Sequence, residues 1–111
     1  MEITTMHYKH CELIKPSGRV DSQTAPQLAE AFKTLQDEKH FKIVFDMSQV
    51  DFISSAGLRV MIDVQKTCKQ ENQGEMVLAQ VPERVYETLD LAGFLPLFRI
   101  CDQVVEAVGS F

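Results

Sequence analysis

Short apolar runs alternate with helix-periodic segments along this chain, and that order does most to limit its fold. Ile3–Tyr8 is rich in residues that suit strands, and Cys11, Leu13 and Lys15 alternate with polar neighbours in a second strand. His10 falls in the short connection, so the two are expected to pair as a hairpin. Pro16 cannot donate a ladder hydrogen bond and is expected at a strand end or edge. Lys42–Asp46 and Met76–Ala79 read as further strands, and Leu97–Ile100 as a last short one. Between them lie segments of helical spacing. Asp21–Glu38 carries Ala25, Leu28, Phe32 and Leu35 as a buried stripe, with Thr24–Gln27 read as a capping box and Pro26 tolerable in the first turn. Helical spacing resumes at Ala56 and runs to Glu71, with Leu58, Met61, Ile62 and Cys68 on one face and Val60 and Val64 widening it. Residues 72–74 supply a stop. Pro82 opens a third helix with Val85, Leu89 and Ala92 inward, and Gly93 closes it. Asp102 is expected to cap a final helix carrying Val105 and Val108. Phe94, Leu95, Leu97 and Phe98 are expected in the core, with an edge position on a docking face as the alternative for some of them. The order strand, strand, helix, strand, helix, strand, helix, strand, helix implies an α/β fold. Its sheet would be mixed, with an antiparallel N-terminal hairpin followed by parallel strands, right-handed crossovers and about four helices.

The whole of residues 1–111 is read as one domain, since the length suits one core and the chain shows no repeat or linker. A net charge of −5 with scattered Lys and Arg argues against a nucleic-acid partner. No apolar run reaches the ~18 residues of a membrane span, and the start lacks the features of a secretory signal. Direct membrane insertion is not expected, and the reading is cytoplasmic. Cys11, Cys68 and Cys101 form no C-x-x-C pair, so they read as reduced thiols with neither a disulfide nor a zinc site. His7 and His10 lack further ligands and would point to opposite faces of a strand, so no metal is expected. No cofactor is expected either.

The chemistry concentrates between Asp46 and Leu58. A strand ends in a carboxylate there, and an irregular stretch, Met47–Ser54, leads to two serines and a helix start. The carboxyl ends of strands are where α/β sheets usually receive ligands and partners. Ser54 or Ser55 would occupy the N-cap or first turn of the second helix, a position that plain capping also explains. Asp46 and Ser48 are expected to turn the chain through side-chain to backbone bonds. Gly57 is expected to let the helix approach the sheet closely. An enzyme is disfavoured: Ser55 lacks a G-x-S-x-G setting, and there is no Walker-type loop.

The run Phe45–Val60, FDMSQVDFISSAGLRV, resembles the signature of the STAS domain of anti-sigma factor antagonists and sulphate-transporter tails. Gly18–Asp21 followed by Thr24, Ala25 and Pro26 is similar to the family's loop before its first helix. Gly74–Leu78 and Leu89–Phe94 extend the likeness over nearly the whole chain. The resemblance implies that Ser55, two places before Gly57, accepts a phosphate from an anti-sigma factor that is itself a serine kinase, with Ser54 as the alternative acceptor. It implies that Asp21 lies close by and contributes to partner binding or phosphotransfer. The expected contact set is Asp21, Thr24, Asp46, Ser54, Ser55, Ala56, Gly57 and Arg59. The sequence departs from the family pattern at Ser54, where Asp is frequent, and at Ala56, where Ser or Thr is frequent. Expected partners are that kinase and a serine phosphatase that resets the switch, with the chain a monomer when free. STAS domains also serve as soluble subunits of lipid-trafficking ABC transporters and as stress-sensing scaffolds, and that role is the alternative.

Overall fold

The structure is a computed structural model and describes residues 1–71 and 73–111. Strands β1 (Glu2–His7) and β2 (Glu12–Val20) form an antiparallel hairpin in which Glu2 faces Ser17 and His7 faces Glu12. Helix α1 (Ala25–Asp37) leads to β3 (Lys42–Asp46) and β4 (Val50–Ile53), then α2 (Ser55–Gln70), β5 (Glu75–Ala79), α3 (Glu83–Leu91), β6 (Ile100–Cys101) and α4 (Val104–Gly109). The main sheet runs β1-β2-β3-β5-β6, and every pairing after the hairpin is parallel. The mixed sheet with four helices agrees with the architecture expected from the sequence.

β2 forks. Glu12–Ile14 pair with β3, whereas Gly18–Val20 pair with β4, with a register shift between Gly18 and Arg19. Pro16 therefore lies inside a nine-residue strand and not at its end, and the expectation for it is corrected. It is tolerated because it falls between the two parallel registers, where neither β3 nor β4 needs an amide. The fork also corrects the reading of Met47–Ser54 as irregular, since half of it is β4.

The sheet's two faces are covered unequally. Ile14, Ile43, Phe45, Met76 and Leu78 point toward α1, α2 and α3, which contribute Leu28, Phe32, Met61, Val64, Cys68, Val85 and Leu89. Phe32 meets Phe45 edge to face at 5.2 Å between centroids. Val44, Val77, Leu13 and Ala79 point the other way, toward Ala107 of α4. All three cysteines are free thiols, Cys11 and Cys68 buried and Cys101 half-buried.

Several end signals resolve differently from the sequence reading. The capping box at Thr24 does not form: its hydroxyl donates to Arg19 O at 2.8 Å and accepts from Asp21 N at 2.9 Å, while the Gln27 amide donates to Met1 O. The chain doubles back so tightly there that the hydroxyl reaches β2 before it can reach α1. In α2, Leu58, Met61, Val64 and Cys68 are buried and Ile62 is half-buried. Within the stop that follows, Asn72 lies outside the described residues, and Gln73 takes a left-handed φ of 59°. Ala92 is exposed rather than inward because α3 ends at Leu91, and Phe94 N bonds back to Leu89 O at 2.9 Å. Pro96 turns Leu95–Leu97 into a 3-10 segment, so the last strand begins at Ile100 and Leu97 is exposed. The residue capping α4 is Gln103, with no side-chain bond, and Asp102 does not cap. Val105 of α4 faces solvent and Ala107 takes the buried position.

Candidate docking site around Ser55

The site is built where β2 and β4 end together. The amide of Ser54 donates to Val20 O at 2.8 Å, which ties the turn before α2 to the loop before α1. Ser54 is the N-cap residue of α2: its backbone is extended, and its Oγ accepts from Gly57 N at 3.4 Å. Ser55 is the first helical residue and is exposed. Among the described residues its hydroxyl has no protein hydrogen-bond partner. The two serines thus divide the roles that the sequence left open between them, one holding the helix and one facing solvent.

Gly57 is buried beneath this turn. A Cβ there would stand 2.7 Å from both Ile53 Cγ1 and Val20 Cγ1, so a side chain would push the helix start off the two strands. The close approach expected of Gly57 is what the fold uses.

Asp21 occupies the neighbouring loop. Its Oδ1 accepts from the amides of Gln23 at 3.0 Å and Thr24 at 3.2 Å, and Arg19 Nε lies 3.7 Å from Oδ2. The backbone bond from Gln23, then that from Thr24, holds the carboxyl below the usual Asp range, and Arg19 adds a smaller pull in the same direction. Arg19 itself lies over the Phe52 ring, 4.3 Å from its centroid. Asp21, Arg19, Phe52 and Ser54 therefore belong to one connected patch. The sequence reading named Asp21 and Thr24 but passed over Arg19, although it sits inside the Gly18–Asp21 motif. What identifies it is its place on the exposed phase of β2, next to Val20.

Asp46 is not part of that patch. It is buried at the end of β3, where Oδ1 accepts from Ser48 N at 3.0 Å and turns the chain as expected. Strand alternation puts it on the Val44 face, with Lys15, Ser17, Gln49 and Val104 around it, so the sheet separates it from Ser55.

Beside Ser55 lies a groove of about 760 Å³ between α2 and the end of α3. Ser55, Ala56, Arg59 and Asp63 rim it, and Leu58, Ile62, Ala92 and Phe94 give it an apolar floor. The next residue on the α3 side, Leu91, is 90% exposed. It does not itself line the groove, whose apolar surface comes from Leu58, Ile62, Ala92 and Phe94. Ile62 and Ala92 were not among the contact residues read from the sequence, whereas Phe94 belongs to the group of which some were read as edging the docking face.

The histidines gather at the other end of β2. His7 bonds Glu12 through Nδ1, and His40 Nδ1 stands 3.4 Å from the same carboxylate oxygen, Oε1. Glu12 is only 6% exposed, and the two rings allow a carboxylate to sit there. Among the described residues no group of three His, Cys, Asp or Glu side chains is placed to hold a metal ion. No helix among them is long and apolar enough to cross a membrane.

A forked mixed sheet with a serine pair opening a helix at the fork defines an α/β domain whose candidate site lies at the strand ends. The chain belongs to the STAS domain family, whose model matches residues 2–107. BtrV of Bordetella bronchiseptica, provisionally named an anti-sigma factor antagonist, is 36% identical over 94 residues, which are 85% of this chain and 80% of that protein. The anti-sigma-B factor antagonist of Listeria monocytogenes is 27% identical over 94 residues, with 85% and 82% covered. Both relatives are named for the factor they oppose, not for a reaction. Among solved structures, an anti-sigma factor antagonist from Mycobacterium paratuberculosis matches with a TM-score of 0.88 at 19% identity, covering 98% of this chain and 92% of that one. SpoIIAA in its unphosphorylated form matches at 0.82 and 14% identity, with 98% and 95% covered. Its phosphorylated form, from Bacillus, matches at 0.75 and 14%, with 98% of each chain covered. At these identities the solved structures establish the shared fold.

Proposed function

We propose that this protein is an anti-sigma factor antagonist of the cytoplasm, a binding switch and not an enzyme. Unmodified, and as a monomer, it docks an anti-sigma factor through the groove beside Ser55, and the sigma factor held by that partner is released. The partner is also a serine kinase: it transfers the γ-phosphoryl group of ATP to Ser55 Oγ, the hydroxyl proton leaves, and ADP departs. A serine phosphatase restores the hydroxyl by hydrolysis: water takes the phosphoryl group, the Oγ–P bond breaks, and inorganic phosphate departs. The observation that carries this reading is Ser55 itself, exposed and unbonded at the first position of α2 on the rim of an apolar groove. A phosphate there adds about −1.5 to −2 charge. The fold tolerates it, because the first-turn amides and the helix dipole favour an anion. A partner's apolar surface pressed into the groove does not, since burying that charge is costly. Asp21 and Thr24 shape the adjoining loop, and Ala56, Gly57 and Arg59 complete the contact face. Asp46, on the far side of the sheet, acts in this scheme only by turning the chain.

The test is to isolate the protein from its own cells in growth and under stress, map its phosphopeptides and identify what co-purifies. The reading expects phosphate on Ser55 at an occupancy that changes with condition, and a soluble kinase-like partner retained by Ser55→Ala and lost by Ser55→Asp. Phosphate on Ser54 instead would move the acceptor to the cap. A membrane transporter as the co-purifying partner would replace this reading with that of a transporter subunit.

A further inference from the structure

We propose that Arg59 is the internal receptor for the phosphate on Ser55, so that modification removes a cation from the docking face as well as adding an anion. The inference rests on the reading of Ser55 as the acceptor and deepens it. Ser55, Arg59 and Asp63 follow one another at four-residue spacing on α2, and all three line the same groove. Each is exposed, and among the described residues neither Arg59 nor Asp63 makes an ion pair. In the unmodified protein the guanidinium is therefore available to a partner, with Asp63 one turn further along as its nearest acidic neighbour on the helix.

A phosphate at residue 55 changes that competition in three ways. It brings up to twice the charge of a carboxylate and three acceptor oxygens. It lies N-terminal to the cation at i,i+4, the orientation in which such pairs are more favourable. The planar guanidinium can also donate two parallel bonds to phosphate oxygens. Arg59 therefore turns back toward residue 55, away from Asp63. The rim changes from one cation and one anion to a net charge of about −2. Arg19 is the other arginine near the turn, but it is already held by Phe52 and Asp21.

The experiment installs phosphoserine at position 55 by genetic encoding and follows the phosphate by ³¹P NMR as pH is varied. Four further phosphoproteins are compared with the parent: Arg59→Ala, Arg59→Gln, Arg59→Lys and Arg19→Ala. Capture by Arg59 predicts that the second phosphate pKa rises by roughly 0.2–0.4 unit in Arg59→Ala and Arg59→Gln. The rise should be smaller in Arg59→Lys and absent in Arg19→Ala, and the difference should shrink in about 0.5 M salt. Amide spectra of the unmodified variants check the fold, and the Gln variant keeps a long polar stem should Ala disturb packing. Equal titration in the parent and both neutral variants would overturn the proposal, as would a shift produced by Arg19→Ala alone. Because the phosphate is installed without a kinase, the result is separate from the preceding reading. Absence of phosphate on Ser55 in cells would remove the switch while leaving this titration intact, and equal titration would remove the capture while leaving the switch.

Discussion

The carboxylate of Asp21 spends its hydrogen-bonding capacity on its own loop, receiving the amides of Gln23 and Thr24 while Arg19 approaches the second oxygen. Because its folded pKa is depressed, the stability it contributes is present above its unfolded value near 4 and is lost as pH falls through the lower folded value. Asp21→Asn should therefore lower the urea midpoint at pH 7, and by progressively less as pH falls below about 4. A loss of constant size across that range would mean that the charge is not what matters. At this scale the sequence was informative about identity and less so about arrangement. Ser54 and Ser55 could be assigned to the helix start, but which one caps depends on backbone angles that no residue type dictates. Asp46 belonged to the right segment, yet the side of the sheet it faces follows from strand phase, which one residue of shift would invert. Arg19 went unnoticed because an exposed arginine has no periodicity to betray it.

Among the elements, β4 is the one that local pattern hid. Val50–Ile53 is four residues long with Asp51 exposed in the middle, too short and too polar to announce a strand. It exists because β2 outruns β3 and its last three residues need partners. The start of α2 depends on that strand through Gly57. Gly57→Ala should destabilise the protein by about 1–3 kcal/mol in chemical denaturation, because Ile53 and Val20 must both give way. It should also weaken partner binding more than its loss of stability explains, by displacing Ser55. A second hidden device is Gln65, a buried amide in the middle of α2. The amides of Leu78 in β5 and of Gln80 just past it donate to Arg99 O and Cys101 O, but β6 is too short to reach Met76. Gln65 substitutes for the missing strand: its Oε1 accepts from Met76 N at 2.8 Å, and its Nε2 donates to Met76 O and Leu97 O. Gln65→Ala should cost about 2–4 kcal/mol by denaturant titration, since it leaves buried backbone groups unpaired. A cost below about 0.5 kcal/mol would show that solvent takes over those bonds. From the sequence, Gln65 had only a polar residue's ordinary claim to the surface.

For the molecule as a whole, the order of strands and helices was legible because it rests on long periodic segments and apolar runs, the strongest signals a sequence carries. Ends were less legible because capping, 3-10 turns and strand length are settled by what lies opposite. The 3-10 segment at Pro96 and the exposure of Ala92 are of that kind, and Ala92 lines the candidate groove. Ser54, Ser55, Arg19 and Gly57 lie around the candidate docking face, whereas Gln65 and Asp46 lie away from it. One end of the sheet carries that face, and the other carries the imidazoles of His7 and His40 against Glu12. β2 joins the two over nine residues, or about 25 Å, several times the ~8 Å over which exposed charges are felt in physiological salt. The protein thus contains its own stationary beacons. When residue 55 acquires a phosphate, the ring C–H resonances of His7 and His40 should hold their positions at fixed pH while the amides of Ala56 and Gly57 move. Movement of both sets would mean that the message travels through the sheet instead of stopping at its rim.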